Sequence, residues 1–257
     1  IIEKLWVISD QEIIARIQES MLEKKLYIAD GHHRYETALT YRNELIQKNP
    51  DHTGNELYNF VMMMMVEMED PGLIILPTHR IICGIENMET QGFLEKAAVS
   101  FSIKEYKFSA GGQKERAIEI DAALKQSAPH SFIYYDGNRS TYYLLTLKDL
   151  NQMKERLPQH DESYRTLDVS ILHTLLIEPV LGIGKEQLAN QEFIKYTHDI
   201  EEGMLLVEDG DCQMALFMNP TSIKQVKEIS LAGEKMPQKS TYFYPKLLTG
   251  LVFNKID

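Results

Sequence analysis

The residues of this chain best suited to chemistry are five consecutive ones, Asp30, Gly31, His32, His33 and Arg34. Imidazoles donate hydrogen bonds, carry protons or ligate metals, and an adjacent carboxylate can fix their tautomer. Glycine permits a tight turn, and a guanidinium binds phosphate or carboxylate through two parallel hydrogen bonds. The cluster therefore predicts a site for a small anion, with Asp30, His32 and His33 as the catalytic candidates.

The flanking sequence predicts that this cluster lies where a strand turns into a helix. The apolar residues 26–29 predict a short strand, and residues 34–48 have the apolar spacing of a helix. Such a turn presents free backbone N–H groups and the positive end of the helix dipole. A cation near the first helical turn is unfavourable for the helix alone, so Arg34 predicts a bound phosphate or carboxylate.

A purely structural interpretation of the cluster stays open. Asp30 would then cap the helix, the two histidines would be surface turn residues, and Arg34 would pair with Glu36 or Glu44. Five polar residues at one helix entrance, directly after a buried strand, favour the functional interpretation.

Two further groups could contribute to the same phosphate or nucleotide site. His79 and Arg80 follow an apolar run, so we expect both side chains to emerge at the edge of a sheet, with a structural salt bridge as the alternative. The second group consists of Lys239, Ser240 and Thr241, which lie in an aromatic, proline-flanked segment. We expect that segment to be a rigid loop that returns to the first cluster, with Lys239 within about 15 Å of Arg34.

Composition limits the possible partners. The chain has 257 residues, of which 44% are hydrophobic and 25% charged, and its net charge is −11. The acidic balance argues against nucleic acid and anionic membranes as partners. The longest apolar run, residues 60–66, is far shorter than the roughly 20 residues of a membrane span. Cys83 and Cys212 lie far apart, which favours a reducing cytoplasmic compartment and argues against zinc ribbons or a disulfide framework.

The remaining patterns predict an α+β fold with a mixed sheet and helices. Ser9 and Glu12 form a capping box for a helix over about residues 10–24. Further predictions are a buried strand over 59–68 with Met62 to Met65 in the core, a core helix over 167–181, and a strand-like end over 247–253. We expect three domains: a core over 1–98 that lacks upstream residues, a small β-α-β-β lobe over 99–148, and a helical and sheet region over 149–257 that returns to the core.

Four segments carry a resemblance to a known family: Leu26–Leu39, Ile75–Arg80, Leu167–His173 and Met236–Lys246. The sequence resembles domain-of-unknown-function family 1015, often described as SpoOJ/ParA/ParB/RepB-like. Its loop is also similar to the Gly-x-x-Arg box of the wider superfamily of ParB proteins, sulfiredoxins and free serine kinases. The resemblance implies a ParB/sulfiredoxin-like core and phosphate contacts from Gly31, His32, His33 and Arg34. The chain departs from sulfiredoxins because no cysteine lies beside the loop.

The residues and the resemblance together favour an enzyme that handles nucleotides or phosphate, and phosphoryl transfer like that of free serine kinases fits best. Its cofactor would be ATP or ADP with Mg²⁺, and its substrate a small phosphorylated or amino-acid-like molecule. One alternative is a metal-assisted phosphohydrolase with Asp30, His32, His33 and His79 as ligands. Another is a non-catalytic nucleotide sensor of the ParB type. We expect no tightly bound metal, and the sequence leaves the oligomeric state open.

Overall fold

The structure is a computed structural model, and it describes residues 4–85, 89–109, 111–190, 192–246, 248 and 250–256. The chain forms two compact units. The first consists of Ile1–Met62 and Asn254–Asp257, and the second of Met63–Phe253.

The first unit is built on two helices, α1 (Gln11–Met21) and α2 (His32–Lys48), followed by a short 3₁₀ helix, Leu57–Asn59. Helix α1 was predicted, but its cap is Asp10 and not Ser9, because the Asp10 carboxylate accepts hydrogen bonds from the first free N–H groups of the helix. Helix α2 begins two residues earlier than predicted and ends at the predicted residue. The 3₁₀ helix is tied to α2 by a hydrogen bond of 3.0 Å from Arg42 Nε to Asn59 Oδ1.

Two strands predicted in this region are wrong. Residues 26–29 and 59–68 contain no strand, and Met62 to Met65 are 52–57% exposed instead of lying in the core. An apolar run becomes a strand only when a neighbour supplies hydrogen-bond partners. Within the described residues neither segment has such a neighbour.

A six-stranded antiparallel sheet forms the second unit and confirms the α+β class. Its strands are β2 (His79–Ile82), β3 (Phe101–Lys107), β4 (Ser131–Tyr135), β5 (Thr141–Leu147), β6 (Ile194–Thr197) and β7 (Met214–Met218). They lie in the order β3-β5-β4-β7-β2-β6. A separate two-stranded sheet pairs β1 (Ile74–Leu76) with β8 (Tyr242–Tyr244). The predicted β-α-β-β elements are present, and β4 pairs with β7, so they belong to the large sheet.

Helices cover both faces of the large sheet. The helices that the structure describes in the second unit are α3 (Thr90–Ala97), α4 (Gln113–Gln126), α5 (Asn151–Arg156), α6 (Glu162–Arg165), α7 (Asp168–Leu172), α8 (Glu178–Leu181), α9 (Lys185–Asn190), α10 (Ile200–Glu208) and α11 (Ile223–Leu231). A π-helical segment, His173–Ile177, joins α7 to α8, so the predicted core helix is formed with an irregular middle. One face packs against α3 and the α7–α8 helix. The opposite face packs against α4 and α10.

Two further expectations need correction. Cys83 and Cys212 form a disulfide, although 129 residues separate them, because β2 and β7 are adjacent antiparallel strands. The strand-like end over 247–253 is not a strand in its described part, where the apolar side chains are exposed and Gly250 has a left-handed backbone. Residues 247 and 249 of that segment lie outside the described residues.

Candidate functional site

The N-terminus of α2 carries the predicted polar cluster. Gly31 is its N-cap with φ of 82°, a conformation that residues with a Cβ rarely adopt. The first hydrogen bond of the helix runs from the Tyr35 N–H to the Gly31 carbonyl at 3.0 Å. The N–H groups of His32, His33 and Arg34 therefore have no carbonyl partner within the helix, and the N-cap glycine has no side chain that could cap them. The first turn contains no acidic residue to oppose the positive end of the helix dipole, and Asp30 precedes the N-cap.

The guanidinium of Arg34 lies directly over Gly31. A Cβ built on Gly31 would be 2.9 Å from Nη2 of Arg34 and 3.2 Å from its Cζ. The structural alternative, pairing of Arg34 with Glu36 or Glu44, is not formed. Within the described part of the chain no carboxylate lies within 4.0 Å of this guanidinium, while Glu36 instead meets His33 at 3.7 Å. An arginine thus adds its charge to a helix end that is already positive.

Asp30 and the two histidines complete the loop. The Asp30 carboxylate accepts a hydrogen bond of 2.7 Å from the Gly31 N–H and so fixes the turn instead of capping the helix. His32 and His33 are exposed to solvent. Along the adjoining face of α2, His33 borders a shallow open groove lined by Glu36, Thr37, Thr40, Tyr41 and Glu44. The hydroxyl groups of this groove were not predicted, although their spacing of three and four residues places them on one helix face.

The structure places His79 and Arg80 differently from the prediction. They do not emerge at a sheet edge, because β2 is an interior strand between β7 and β6 and both residues are buried. Consecutive strand residues point to opposite faces. His79 accordingly packs against Phe217 on the face covered by α4 and α10, while Arg80 reaches Met218 on the face covered by α7 and α8. The expected salt-bridge alternative is also not formed among the described residues.

Arg80 is completely buried. One terminal nitrogen donates to the Thr78 carbonyl and lies 3.4 Å from the Met218 sulfur, and the other donates to the Lys239 carbonyl at 2.9 Å. The ring of Tyr196, its direct partner on β6, lies with its centroid 5.3 Å from Cζ. Burial lowers the pKa of Arg80 to about 10, and Nε has no hydrogen-bond partner.

His79 is held in a neutral state. Its Nδ1 accepts a hydrogen bond of 3.3 Å from the Met218 N–H, while its buried Nε2 has no partner. Burial, followed by the charges of Arg80 and His198, lowers the pKa of His79 to about 3. Because Nδ1 accepts a hydrogen bond, the one proton of the neutral ring is on Nε2, so neither nitrogen offers a free lone pair for the metal-ligand role of the phosphohydrolase alternative.

The segment with Lys239, Ser240 and Thr241 is an ordered loop that reaches the large sheet. The Lys239 side chain is exposed, its backbone is left-handed with φ of 53°, and its carbonyl accepts from Arg80. Ser240 is buried, and its carbonyl accepts a hydrogen bond of 3.0 Å from the Thr221 hydroxyl. Thr241 is half-buried. The approach of Lys239 to Arg34 stays a prediction.

Sequence reasoning missed the surroundings of Arg80. Tyr196 lies beside Arg80 only because strands more than 100 residues apart pair, and no local pattern reveals that pairing. His173 is half-buried with a buried Nε2, and its relation to Arg80 was not foreseen. Asp168 begins α7, and its carboxylate also meets His130 Nδ1 at 2.8 Å.

The first two thirds of the chain match a known protein family. Residues 1–170 match the family described as protein of unknown function (DUF1015). The chain belongs to this family. In this DUF1015 member the matched residues include the Gly31 loop and Arg80, whereas His173, Tyr196 and the resembling segment Met236–Lys246 lie beyond them.

Three solved structures are similar to this DUF1015 protein in fold. A conserved hypothetical protein from Pyrococcus furiosus has 14% identity and a TM-score of 0.43, with 91% of this chain and 81% of that chain covered. A free serine kinase in complex with AMP has 11% identity and a TM-score of 0.43, with 91% and 80% covered. A mutant of a free serine kinase, also in complex with AMP, has 12% identity and a TM-score of 0.44 over the same shares. No curated protein matches the chain.

The described residues also lack two features that would point to other functions. None of the helices they form combines the length and apolar character that a membrane crossing requires. Nor do they contain three or more histidine, cysteine, aspartate or glutamate side chains grouped so that they could hold a metal ion.

Proposed function

We propose that the loop at the N-terminus of α2 binds a phosphate group of a nucleotide or of a phosphorylated small molecule. The observation that carries this proposal is the guanidinium of Arg34, which lies over Gly31 at the start of a helix whose first turn has no acidic residue, and which meets no carboxylate within 4.0 Å among the described residues. A phosphate would accept hydrogen bonds from those N–H groups and from the guanidinium at once. It would also remove the conflict between a cation and the positive end of the helix dipole.

We further propose that the bound phosphate takes part in phosphoryl transfer to a hydroxyl group, as in free serine kinases. In this reaction the bond between the bridging oxygen and the terminal phosphorus of ATP or ADP breaks, a new phosphate ester bond forms, and the hydroxyl proton goes to a base. The reaction needs positioning and charge neutralisation more than a covalent nucleophile. Arg34, His32 and His33 supply donors for this purpose, and Asp30, at the start of the loop, is the candidate base.

Magnesium would be held largely by the nucleotide. Mg²⁺ commonly binds through one or two carboxylates together with substrate phosphates, and it keeps several waters. Asp30 is the loop carboxylate that could contribute, and the described residues contain no larger cluster of ligands. The phosphohydrolase alternative, which would need His79 as a ligand, is less consistent with the burial of that ring.

The proposed activity can be tested directly. The chain is incubated with ATP or ADP, Mg²⁺ and L-serine, and phosphoserine is measured by mass spectrometry, with L-alanine as a substrate that lacks the hydroxyl. Phosphoserine formation that is lost in Asp30→Asn, together with nucleotide binding that persists in that variant, would support the proposal. If no hydroxyl substrate gives product although nucleotide binds, the sensor alternative is favoured over the kinase.

A further inference from the structure

Arg80 is a buried cation with no buried anion beside it. Its hydrogen bonds go to two backbone carbonyls and its nearest side-chain acceptor is a thioether. Within the described parts of the second unit, no carboxylate lies within 4.0 Å of its guanidinium. Burying a charge without a counter-charge is costly, so such groups are usually paired. Packing alone therefore does not account for a charged residue at this position.

Another arginine of the same unit shows how the chain pairs a buried guanidinium. Arg116 is also buried, and it meets the buried carboxylate of Glu208 at 2.8 Å. That carboxylate also accepts from Arg139 at 2.9 Å and from the Tyr135 hydroxyl at 2.6 Å. Nε of Arg116 is unpartnered like that of Arg80, so the difference is the counter-charge: the fold supplies a buried carboxylate to Arg116, and none within 4.0 Å to Arg80 among the described residues.

The unpartnered groups around Arg80 are suited to an oxyanion. Among the described residues, Nε of Arg80 is buried without a partner, and so is Nε2 of His173. Burial, followed by the charge of Arg80, lowers the pKa of His173 to about 3. Both residues lie on the sheet face covered by α7 and α8, and His173 opens the π-helical segment of that helix. A neutral imidazole can still donate one hydrogen bond to an anion.

A second cation lies close to the same position. Nζ of Lys239 is 5.9 Å from the centre of the Tyr196 ring, and Cζ of Arg80 is 5.3 Å from it. Lys239 is exposed while its carbonyl binds Arg80, so the buried guanidinium lies directly beneath a surface loop. Two positive charges near one aromatic ring repel each other unless an anion neutralises them.

We propose that Arg80, Lys239 and His173 form a binding site for a compact oxyanion, either the carboxylate of a small substrate or a phosphate group. Arg80 Nε and His173 Nε2 donate to the anion, and Lys239 covers it from the loop. As a binding site it stands on the second unit alone. Its assignment to the carboxylate of an amino-acid-like phosphoryl acceptor rests on the proposed function.

The test uses full-length protein that carries Arg34→Ala, so that the loop at α2 cannot supply the response. Sodium phosphate and, separately, sodium acetate are titrated at constant ionic strength, and the unfolding temperature Tm and the binding heat are recorded. A saturable rise in Tm is expected. A larger rise with phosphate indicates a phosphate site, and a larger rise with acetate indicates a carboxylate site. Adding Arg80→Met should abolish the rise. Adding Arg116→Met, the matched buried arginine, should preserve it even if that variant starts from a lower Tm.

A rise of the same size in the Arg80→Met and Arg116→Met proteins would overturn the proposal, because it would be a general salt effect. Absence of any saturable rise in the Arg34→Ala protein would overturn it as well. If Arg80→Met does not fold, Lys239→Ala replaces it, since that side chain is exposed, and affinity for the better anion should fall by several-fold. Nucleotide binding to protein with an intact Arg34 is scored separately, so failure of the α2 site and failure of this site are distinguishable.

Discussion

Two histidines, His79, which is buried, and His173, whose Nε2 is buried, should make the second unit sensitive to acid. The pKa values of His79 and His173 are both lowered to about 3, chiefly by burial, whereas an unfolded histidine titrates near 6.5. Between these values the unfolded chain binds protons that the folded chain does not. Stability from these rings is therefore complete above pH 6.5 and falls as the pH decreases toward 3. At pH 5, which is 1.5 units below the unfolded pKa, each ring lowers the free energy of unfolding by about 2 kcal/mol, since one pH unit corresponds to about 1.4 kcal/mol.

The assay is urea-induced unfolding at pH 7.5 and pH 5.0. The variants are His79→Asn, His173→Asn and, as the matched control, His33→Asn, because the side chain of His33 is 92% exposed. Carboxylates also titrate in this range, so the measured quantity is the change in free energy of unfolding between the two pH values relative to wild type. We expect the decrease in the free energy of unfolding on acidification to be about 2 kcal/mol smaller in His79→Asn and in His173→Asn than in wild type, and unchanged in His33→Asn. Equal losses in all four proteins would refute the reasoning.

Three further outcomes follow from particular contacts. Gly31→Ala should weaken phosphate binding, measured by calorimetric titration, because the new Cβ meets the guanidinium of Arg34. Gly54→Ala is the control and should leave binding unchanged, because Gly54 has a similar left-handed backbone but no atom within 4 Å of the added Cβ. Glu208→Gln should lower the free energy of unfolding by roughly 3 kcal/mol, measured in urea, because it leaves a buried guanidinium unpaired. Replacing Cys83 and Cys212 by serine should lower the Tm of oxidised protein, because a cross-link between residues 129 positions apart stabilises the folded state by up to about 5 kcal/mol. A reducing agent should lower the Tm of the wild-type protein in the same way.

The elements that the sequence predicted well are those whose signals are local. The hairpin of β4 and β5 has its turn at Asp136, Gly137 and Asn138, where Gly137 is left-handed and the Asp136 carboxylate accepts from the Asn138 N–H at 3.0 Å. Helix α2 likewise ends at its predicted residue, Lys48. Periodicity and turn chemistry determine such segments without help from distant residues.

The failures share a different cause, which is dependence on distant partners. Residues 59–68 have the composition of a buried strand, but composition does not supply a neighbouring strand. His79 and Arg80 were expected at an edge because they follow an apolar run, and only the pairing of β2 with β6 and β7, more than 100 residues later, encloses them. The Gly31 loop was placed correctly at a helix entrance, although the strand predicted before it is not formed.

The central claim is that the N-terminus of α2 binds a phosphate group through Arg34. The most direct measurement is the equilibrium affinity of full-length protein for ATP, ADP and inorganic phosphate, by calorimetry, in wild type, Arg34→Ala and Arg16→Ala. Arg16 is an exposed arginine of the same unit, so its removal changes the net charge equally. Loss of a charged hydrogen bond costs about 1.5–3 kcal/mol, which predicts an affinity roughly 10- to 150-fold weaker for Arg34→Ala and an unchanged affinity for Arg16→Ala. Equal affinity in all three proteins, or no binding by wild type, would contradict the claim.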